Sequence, residues 1–106
     1  MKRIFVIIEE KDLNEIRETF DMLDKFKDSE EVNIIFIGRS LEIKDKIEEL
    51  ARDITSKISN VNLFSTERIN DKIRIMKYSD FLNSIRNNDV IIKVGFTCPY
   101  SLWVKW

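Results

Sequence analysis

Short apolar runs alternate with stretches of helical periodicity along this chain. The runs predict five strands, at residues 4–8, 32–37, 61–64, 73–76 and 90–94. Runs rich in β-branched residues, without polar alternation, are typical of strands buried on both faces of a parallel sheet.

Helical periodicity separates the predicted strands. The apolar positions at this spacing are Leu13, Ile16, Phe20 and Leu23, then Ile43, Ile47, Leu50, Ile54 and Ile58, and finally Phe81, Leu82 and Ile85. We expect Asp12 and Glu15 to form a capping box at the first helix. Ser40 and Ser79 are expected to cap the second and third helices.

This order of elements predicts a single α/β domain over residues 1–106. Strands that alternate with helices imply right-handed crossovers and a mostly parallel sheet with helices on both faces. We expect five strands, or four if one of the shorter runs is not a strand.

Composition narrows the class of protein. A hydrophobic fraction of 43% and a charged fraction of 35% indicate a soluble globular protein, and the high charge is also typical of heat-stable proteins. Eighteen basic and nineteen acidic residues nearly cancel, so we expect no nucleic-acid binding. A single cysteine and the shortness of the first apolar run favour a cytoplasmic protein without membrane contact.

The loops after the first three strands are expected to meet at the carboxyl edge of the sheet, where ligands bind in open parallel sheets. Amides at a helix N-terminus, hydroxyls and cationic side chains together favour bound anions. The residues of this candidate small-anion or nucleotide site are Lys11, Gly38, Arg39, Ser40, Ser65, Thr66 and Arg68. The alternative is that Arg39 is simply a solvated loop residue.

Several chemistries are excluded or weakly supported. The chain has no histidine, so histidine-based acid–base catalysis and metal ligation are excluded. It contains no glycine-rich nucleotide motif, P-loop or nucleophile elbow. Cys98 is a candidate nucleophile if a nearby cation lowers its pKa; the alternative is a small buried apolar residue. The acidic residues Glu9, Glu10, Asp12 and Glu67 are interpreted as solvated caps, and no metal or cofactor is predicted.

Residues 96–106 form an aromatic C-terminal tail. Leu102 and Val104 alternate with Trp103 and Lys105, a pattern that favours an edge strand. Tryptophan and tyrosine are also common anchors of protein interfaces. The tail is therefore expected either to pack on its own sheet or to contact another subunit.

Two segments resemble the DsrE/DsrF/DsrH-like family of small α/β proteins, which includes sulfur-relay subunits. Residues 32–43 look like the family's second strand and its Gly-x-Ser turn, and residues 72–94 look like its closing strand–helix–strand. The resemblance implies a flavodoxin-like or DsrE-like fold and homo-oligomers. Sulfur-carrying members have a cysteine after the third strand, where this chain has Ser65-Thr66-Glu67, so sulfur carriage at that position is excluded.

A further segment, Val6 to Asp12, is similar to the first acidic motif of Toprim domains. Toprim chemistry also needs an Asp-x-Asp pair, and this chain has Ser65-Thr66-Glu67 at that place.

The leading hypothesis is an oligomeric interaction or small-ligand-binding module without sulfur-carrier activity. The alternatives are a sulfurtransferase-type enzyme that uses Cys98 and an anion or nucleotide binder at residues 38–40.

Overall fold

The computed structural model describes residues 3–26 and 31–95. Its helices and strands are β1 (Arg3–Ile8), α1 (Leu13–Leu23), β2 (Glu31–Phe36), α2 (Lys44–Lys57), β3 (Val61–Ser65), β4 (Arg74–Ile75), α3 (Tyr78–Asn83) and β5 (Val90–Val94). The strand bounds differ from the predicted ones by at most one residue. The aromatic tail and Cys98 lie outside the described residues.

The sheet has the order β4-β3-β2-β1-β5, and every neighbouring pair is parallel. The predicted α/β class and the five-stranded parallel sheet are confirmed. The strand order is not that of flavodoxin, in which β1 lies between β2 and β3. Here the chain winds outward from β1 to β4 and then returns, so that β5 lies on the other side of β1.

Alternate side chains of the strands pack on the two faces of the sheet. On one face, Ile4, Val6 and Ile8 contact the buried sides of α1 and α2. On the other face, Phe5 and Phe64 pack edge-to-face against Phe81 of α3, with ring centroids 5.4 and 6.0 Å apart. Helices therefore cover both faces, as predicted, although α3 has only six residues. None of the helices in residues 3–26 and 31–95 is long and apolar enough to cross a bilayer.

The capping of α1 is confirmed only in part. The Asp12 carboxylate accepts a hydrogen bond from the backbone N–H of Asn14 at 2.9 Å. The backbone N–H of Asp12 donates to Glu10 at 3.2 Å, and not to Glu15 as the capping box requires. The Glu10 carboxylate, in the loop before α1, therefore accepts the hydrogen bond that Glu15 would accept in a capping box.

The predicted caps of the other two helices are wrong. Gly38, at a φ of +55°, turns the chain at the end of β2 directly into a 3-10 helix, Gly38–Ile43. Ser40 lies inside that helix, and α2 begins later, after Ile43. Ser79 lies inside α3, whose N-cap is Lys77.

We expect Gly95→Ala to destabilise the protein by about 2–4 kcal/mol and Gly38→Ala by only about 1–2 kcal/mol. Both glycines have positive φ, but a Cβ at Gly95 would lie 2.5 Å from Cβ and 2.7 Å from the backbone nitrogen of Glu10. A Cβ at Gly38 would lie 3.0 Å from Cγ of Glu9, a side chain that can move. Urea denaturation measures both losses, and equal losses would contradict this difference in packing.

Candidate functional site

The structure places all seven predicted anion-binding residues at the carboxyl edge of the sheet, but the hydroxyls of Ser40 and Ser65 make hydrogen bonds within the fold. Ser40 is fully buried, and its hydroxyl lies 2.8 Å from the carbonyl oxygen of Ile37 and 3.1 Å from that of Ile8. Ser65 is also buried, and its hydroxyl donates to the carbonyl of Glu67. The Ser40 hydroxyl joins the ends of β1 and β2, and the Ser65 hydroxyl closes the turn that follows it, so both are poorly placed to contact a ligand.

Arg39 joins three loops at the same edge. Its guanidinium lies 3.8 Å from the Glu9 carboxylate and 3.6 Å from that of Glu10, and it donates to the carbonyl of Gly95 at 3.2 Å. The gap between β1 and β5, where strand order reverses, is the expected ligand crevice of an open parallel sheet. Here Arg39 and the backbone of Glu10 close that crevice, and the positive charge of Arg39 is balanced by carboxylates.

The remaining cations of this edge are also paired with carboxylates. The pairs are Lys11–Glu42, Lys44–Glu67 and Arg68–Asp71, with N–O distances of 3.3, 3.3 and 2.6 Å. Exposed ion pairs of this kind contribute little to stability. They nevertheless neutralise the cations on which an anion site at this edge depends.

A polar cluster that the hydrophobic pattern did not predict lies near the opposite edge, on the α3 face. Asn33 of β2 and Asn62 of β3 are direct partners in the parallel register, and the Asn62 amide nitrogen donates to the Asn33 carbonyl oxygen at 3.0 Å. Asn33 is only 6% exposed. Its own amide nitrogen donates no hydrogen bond to another residue within 3–26 or 31–95. This nitrogen is not fully enclosed, so water or a ligand can accept a hydrogen bond from it.

Arg3 organises the charged half of this cluster. Its guanidinium makes two hydrogen bonds to Asp89, at 3.2 and 2.7 Å, and a third to Glu31 at 3.2 Å. The guanidinium also lies over the ring of Phe5, 5.0 Å from its centroid. The second oxygen of Glu31 accepts from Asn62 at 3.4 Å, which connects the ion pairs to the amide pair.

The Arg3–Asp89 pair changes the proton affinity of both groups. The hydrogen bonds from Arg3 hold the pKa of Asp89 below its ordinary value, although burial of the carboxylate acts in the opposite direction. The hydrogen bond to Asp89 raises the pKa of Arg3 further. Both groups therefore stay charged at neutral pH, and their roles are to orient Glu31 and to anchor the start of β1.

A groove of about 250 Å³ lies between this cluster and α3, and we call it the amide groove. The residues that line it include Asn33, Asn62, Phe64, Arg74, Met76 and Phe81, and the charged side chains of Arg3 and Glu31. It exists because β4 has two residues and pairs only with Phe64 and Ser65. The outer edge of β3 before Phe64 is left without a neighbouring strand among the described residues.

Arg74 is the exposed cation at the mouth of the amide groove. It is the register partner of Phe64, so its side chain lies on the α3 face of the sheet. Unlike the cations at the carboxyl edge, it forms no ion pair with any residue in the described ranges. Its charge therefore remains available to an anion.

The sequence contains a weak indication of the amide groove. Two predicted strands begin with the same dipeptide, Val32-Asn33 and Val61-Asn62. An asparagine inside a buried apolar run is unusual, and such violations of pattern often mark functional positions. The residue that pairs with each asparagine, however, depends on the register between the strands, and the sequence of one apolar run does not specify that register.

Searches of the sequence against protein-family models and against curated proteins find no match. Within the described residues, no three acidic or cysteine side chains come close enough to hold a metal ion. The functional interpretation therefore rests on the geometry of the amide groove and of the carboxyl edge.

We expect Asp89→Asn to lower the free energy of unfolding at pH 7 by about 1–3 kcal/mol, because it removes a charge-assisted pair. The folded-state pKa of Asp89 lies below its ordinary value of 3.8, so the contribution is present above that value. It is lost as the pH falls through the folded pKa. In urea titrations, the difference between the wild type and the variant should therefore be constant above about pH 5 and should narrow as the pH falls below 3.8.

The matched control is Asp71→Asn, which breaks the exposed Arg68–Asp71 pair. We expect a change within about 0.5 kcal/mol at every pH. A loss of similar size in both variants, or a constant difference for Asp89→Asn down to the lowest pH, would contradict the assigned role of the Arg3–Asp89 pair.

Proposed function

We propose that this protein is a cytoplasmic small-ligand-binding module without sulfur-carrier activity, and that its ligand is a small carboxylate with an apolar body. The observation that carries the proposal is that one groove is lined by the Arg74 guanidinium, which forms no ion pair with a described residue, by the Asn33 amide and by the rings of Phe64 and Phe81. The single cysteine of the chain supports a reducing compartment.

The chemistry of the groove favours a carboxylate. A guanidinium binds a carboxylate through two parallel hydrogen bonds, and an amide N–H adds a third from another direction. Phe64 and Met76 offer apolar contact for the rest of the molecule. Glu31 also lines the groove and shares Arg3 with Asp89, so these three groups together carry one negative charge. The positive charge that a carboxylate would bind is therefore that of Arg74.

The same groove favours binding over catalysis. Its acidic group, Glu31, is held by hydrogen bonds from Arg3 and Asn62. A general base needs a free pair of electrons within reach of the substrate and a pKa near the working pH. None of the described side chains in the groove combines these properties. The volume of about 250 Å³ is small for a ligand pocket, so the expected ligand is about the size of benzoate.

The test is a binding titration, by calorimetry or by NMR, with a probe panel of benzoate, phenylacetate, benzamide, inorganic phosphate and a nucleoside monophosphate. We expect the two carboxylates to bind and benzamide to bind more weakly. Arg74→Gln should weaken carboxylate binding at least about tenfold, because it removes a charge-assisted hydrogen-bonded pair. Its side chain is exposed, so the fold should be retained.

The matched control is Arg39→Gln at the carboxyl edge, which should leave carboxylate binding unchanged. Binding of phosphate or of the nucleotide that Arg39→Gln weakens and Arg74→Gln does not would favour the site at residues 38–40 instead. Absence of carboxylate binding at millimolar concentration would overturn the proposal.

A further inference from the structure

The outer edge of β3 is open where β4 does not reach it. The short β4 pairs only with Phe64 and Ser65, so residues 61–63 have no strand on their outer side among the described residues. An open edge offers unpaired N–H and C=O groups to an extended chain that approaches it. Addition of a peptide as a further strand is a common mode of protein recognition at such edges.

Hydrogen bonds at the two ends of β3 show which of its backbone groups point outward. The carbonyl of Asn60, just before β3, accepts a hydrogen bond from β2 at 3.0 Å. The carbonyl of Ser65 accepts one from the N–H of Met76, just after β4, at 2.9 Å. Successive residues of a strand direct their N–H and C=O groups to opposite sides. The N–H groups of Val61 and Leu63 therefore point outward, on the same side as the carbonyl of Ser65.

A groove of about 220 Å³ lies between this edge and α2, and we call it the edge groove. Three cations line it, Arg52 of α2, Lys72 and Arg74, and none of them forms an ion pair with a residue in 3–26 or 31–95. Glu48 is the only carboxylate among the described lining residues, and the others are uncharged. The lining is therefore net positive.

The neighbouring surface does not cancel this charge. An adjoining groove shares Glu48, Arg52 and Lys72 with the edge groove and adds one carboxylate, Asp71. Asp71 is paired with Arg68, with an N–O distance of 2.6 Å. The surface beside the open edge therefore favours a negatively charged occupant.

We infer that the open edge of β3 binds an extended acidic peptide of a partner protein, which adds as a further strand beside residues 61–63. Main-chain hydrogen bonds to the outward groups of β3 hold the peptide, and its carboxylates contact Arg52 and Lys72. A second copy of this chain is disfavoured as the occupant, because pairing of two β3 edges brings the cations of both copies together.

The test is an NMR titration of the full chain with a millimolar excess of the peptide acetyl-Glu-Val-Glu-Val-Glu-amide, followed by hydrogen exchange of the complex. We expect slower exchange at the amides of Val61 and Leu63 when the peptide is bound, because both become donors in the new strand pair. The amide of Asn62 points towards β2, so its exchange should not change.

A double variant tests the contribution of charge. Arg52→Gln combined with Lys72→Gln should weaken peptide binding about five- to tenfold, because two exposed ion pairs are lost. Both side chains are exposed, so the fold is retained. Neither lines the amide groove, so benzoate binding should stay unchanged and the two proposed sites are tested separately.

The matched control combines Arg17→Gln with Lys46→Gln. This variant removes the same two kinds of charge from exposed positions on α1 and α2 that do not line the edge groove. It should bind the peptide as the wild type does. Equal weakening in both double variants would show attraction to the net charge of the protein and would overturn the inference.

The peptide provides the control for strand pairing. N-methylation of two adjacent central residues removes a donor from each of its edges and leaves its charge unchanged, so binding should fall at least about tenfold. Equal binding of the methylated and unmethylated peptides would exclude an added strand.

Three further results would overturn the inference. The first is absence of binding at millimolar peptide. The second is slow exchange of the Val61 and Leu63 amides in the free protein at every concentration, which would show that the edge is already covered. The third is protection that develops only as protein concentration rises, together with a doubled mass in sedimentation, which would identify a second copy of the chain as the occupant.

Discussion

The burial of β1 on both faces is the constraint on which the rest of the structure depends. Its residues Ile4–Ile8 are at most 2% exposed, and parallel strands pair with both of its edges. A strand in this position needs helices on both sides of the sheet, because apolar side chains point in both directions. Two longer helices, α1 and α2, cover one face, whereas the six-residue α3 covers the other.

The shortness of α3 explains the division of the second face into an apolar and a polar half. Phe81 reaches Phe5 and Phe64, and closer to the amino ends of the strands the sheet carries Arg3, Glu31 and the asparagine pair instead. Polar groups at this depth require hydrogen-bond partners. Because Arg3 and Glu31 find theirs within the fold, the amide nitrogen of Asn33 is the group that the proposed ligand would use.

The strands β1, β2 and β5 could be predicted from the sequence because each contains an apolar run rich in β-branched residues, a local signal that tertiary structure did not override. The helix caps were harder to predict from the sequence. Ser40 follows a glycine whose positive φ starts a 3-10 helix, so the serine turns towards carbonyls instead of helix amides. The partners of Arg39 lie in the loops after β1 and β5, and the partner of Asn33 lies on β3, so only the register and strand order bring these residues together.

The pairing of β1 with β5 has a consequence for the order of folding. Arg3 and Asp89 are 86 residues apart in the chain, yet they form the best-buried ion pair of the described residues. All three helices must therefore leave the ribosome before β1 acquires its second neighbour. Contacts between such distant segments form slowly. Until β5 arrives, the nascent chain exposes an aliphatic strand, and this is the stage at which we expect a chaperone to matter most.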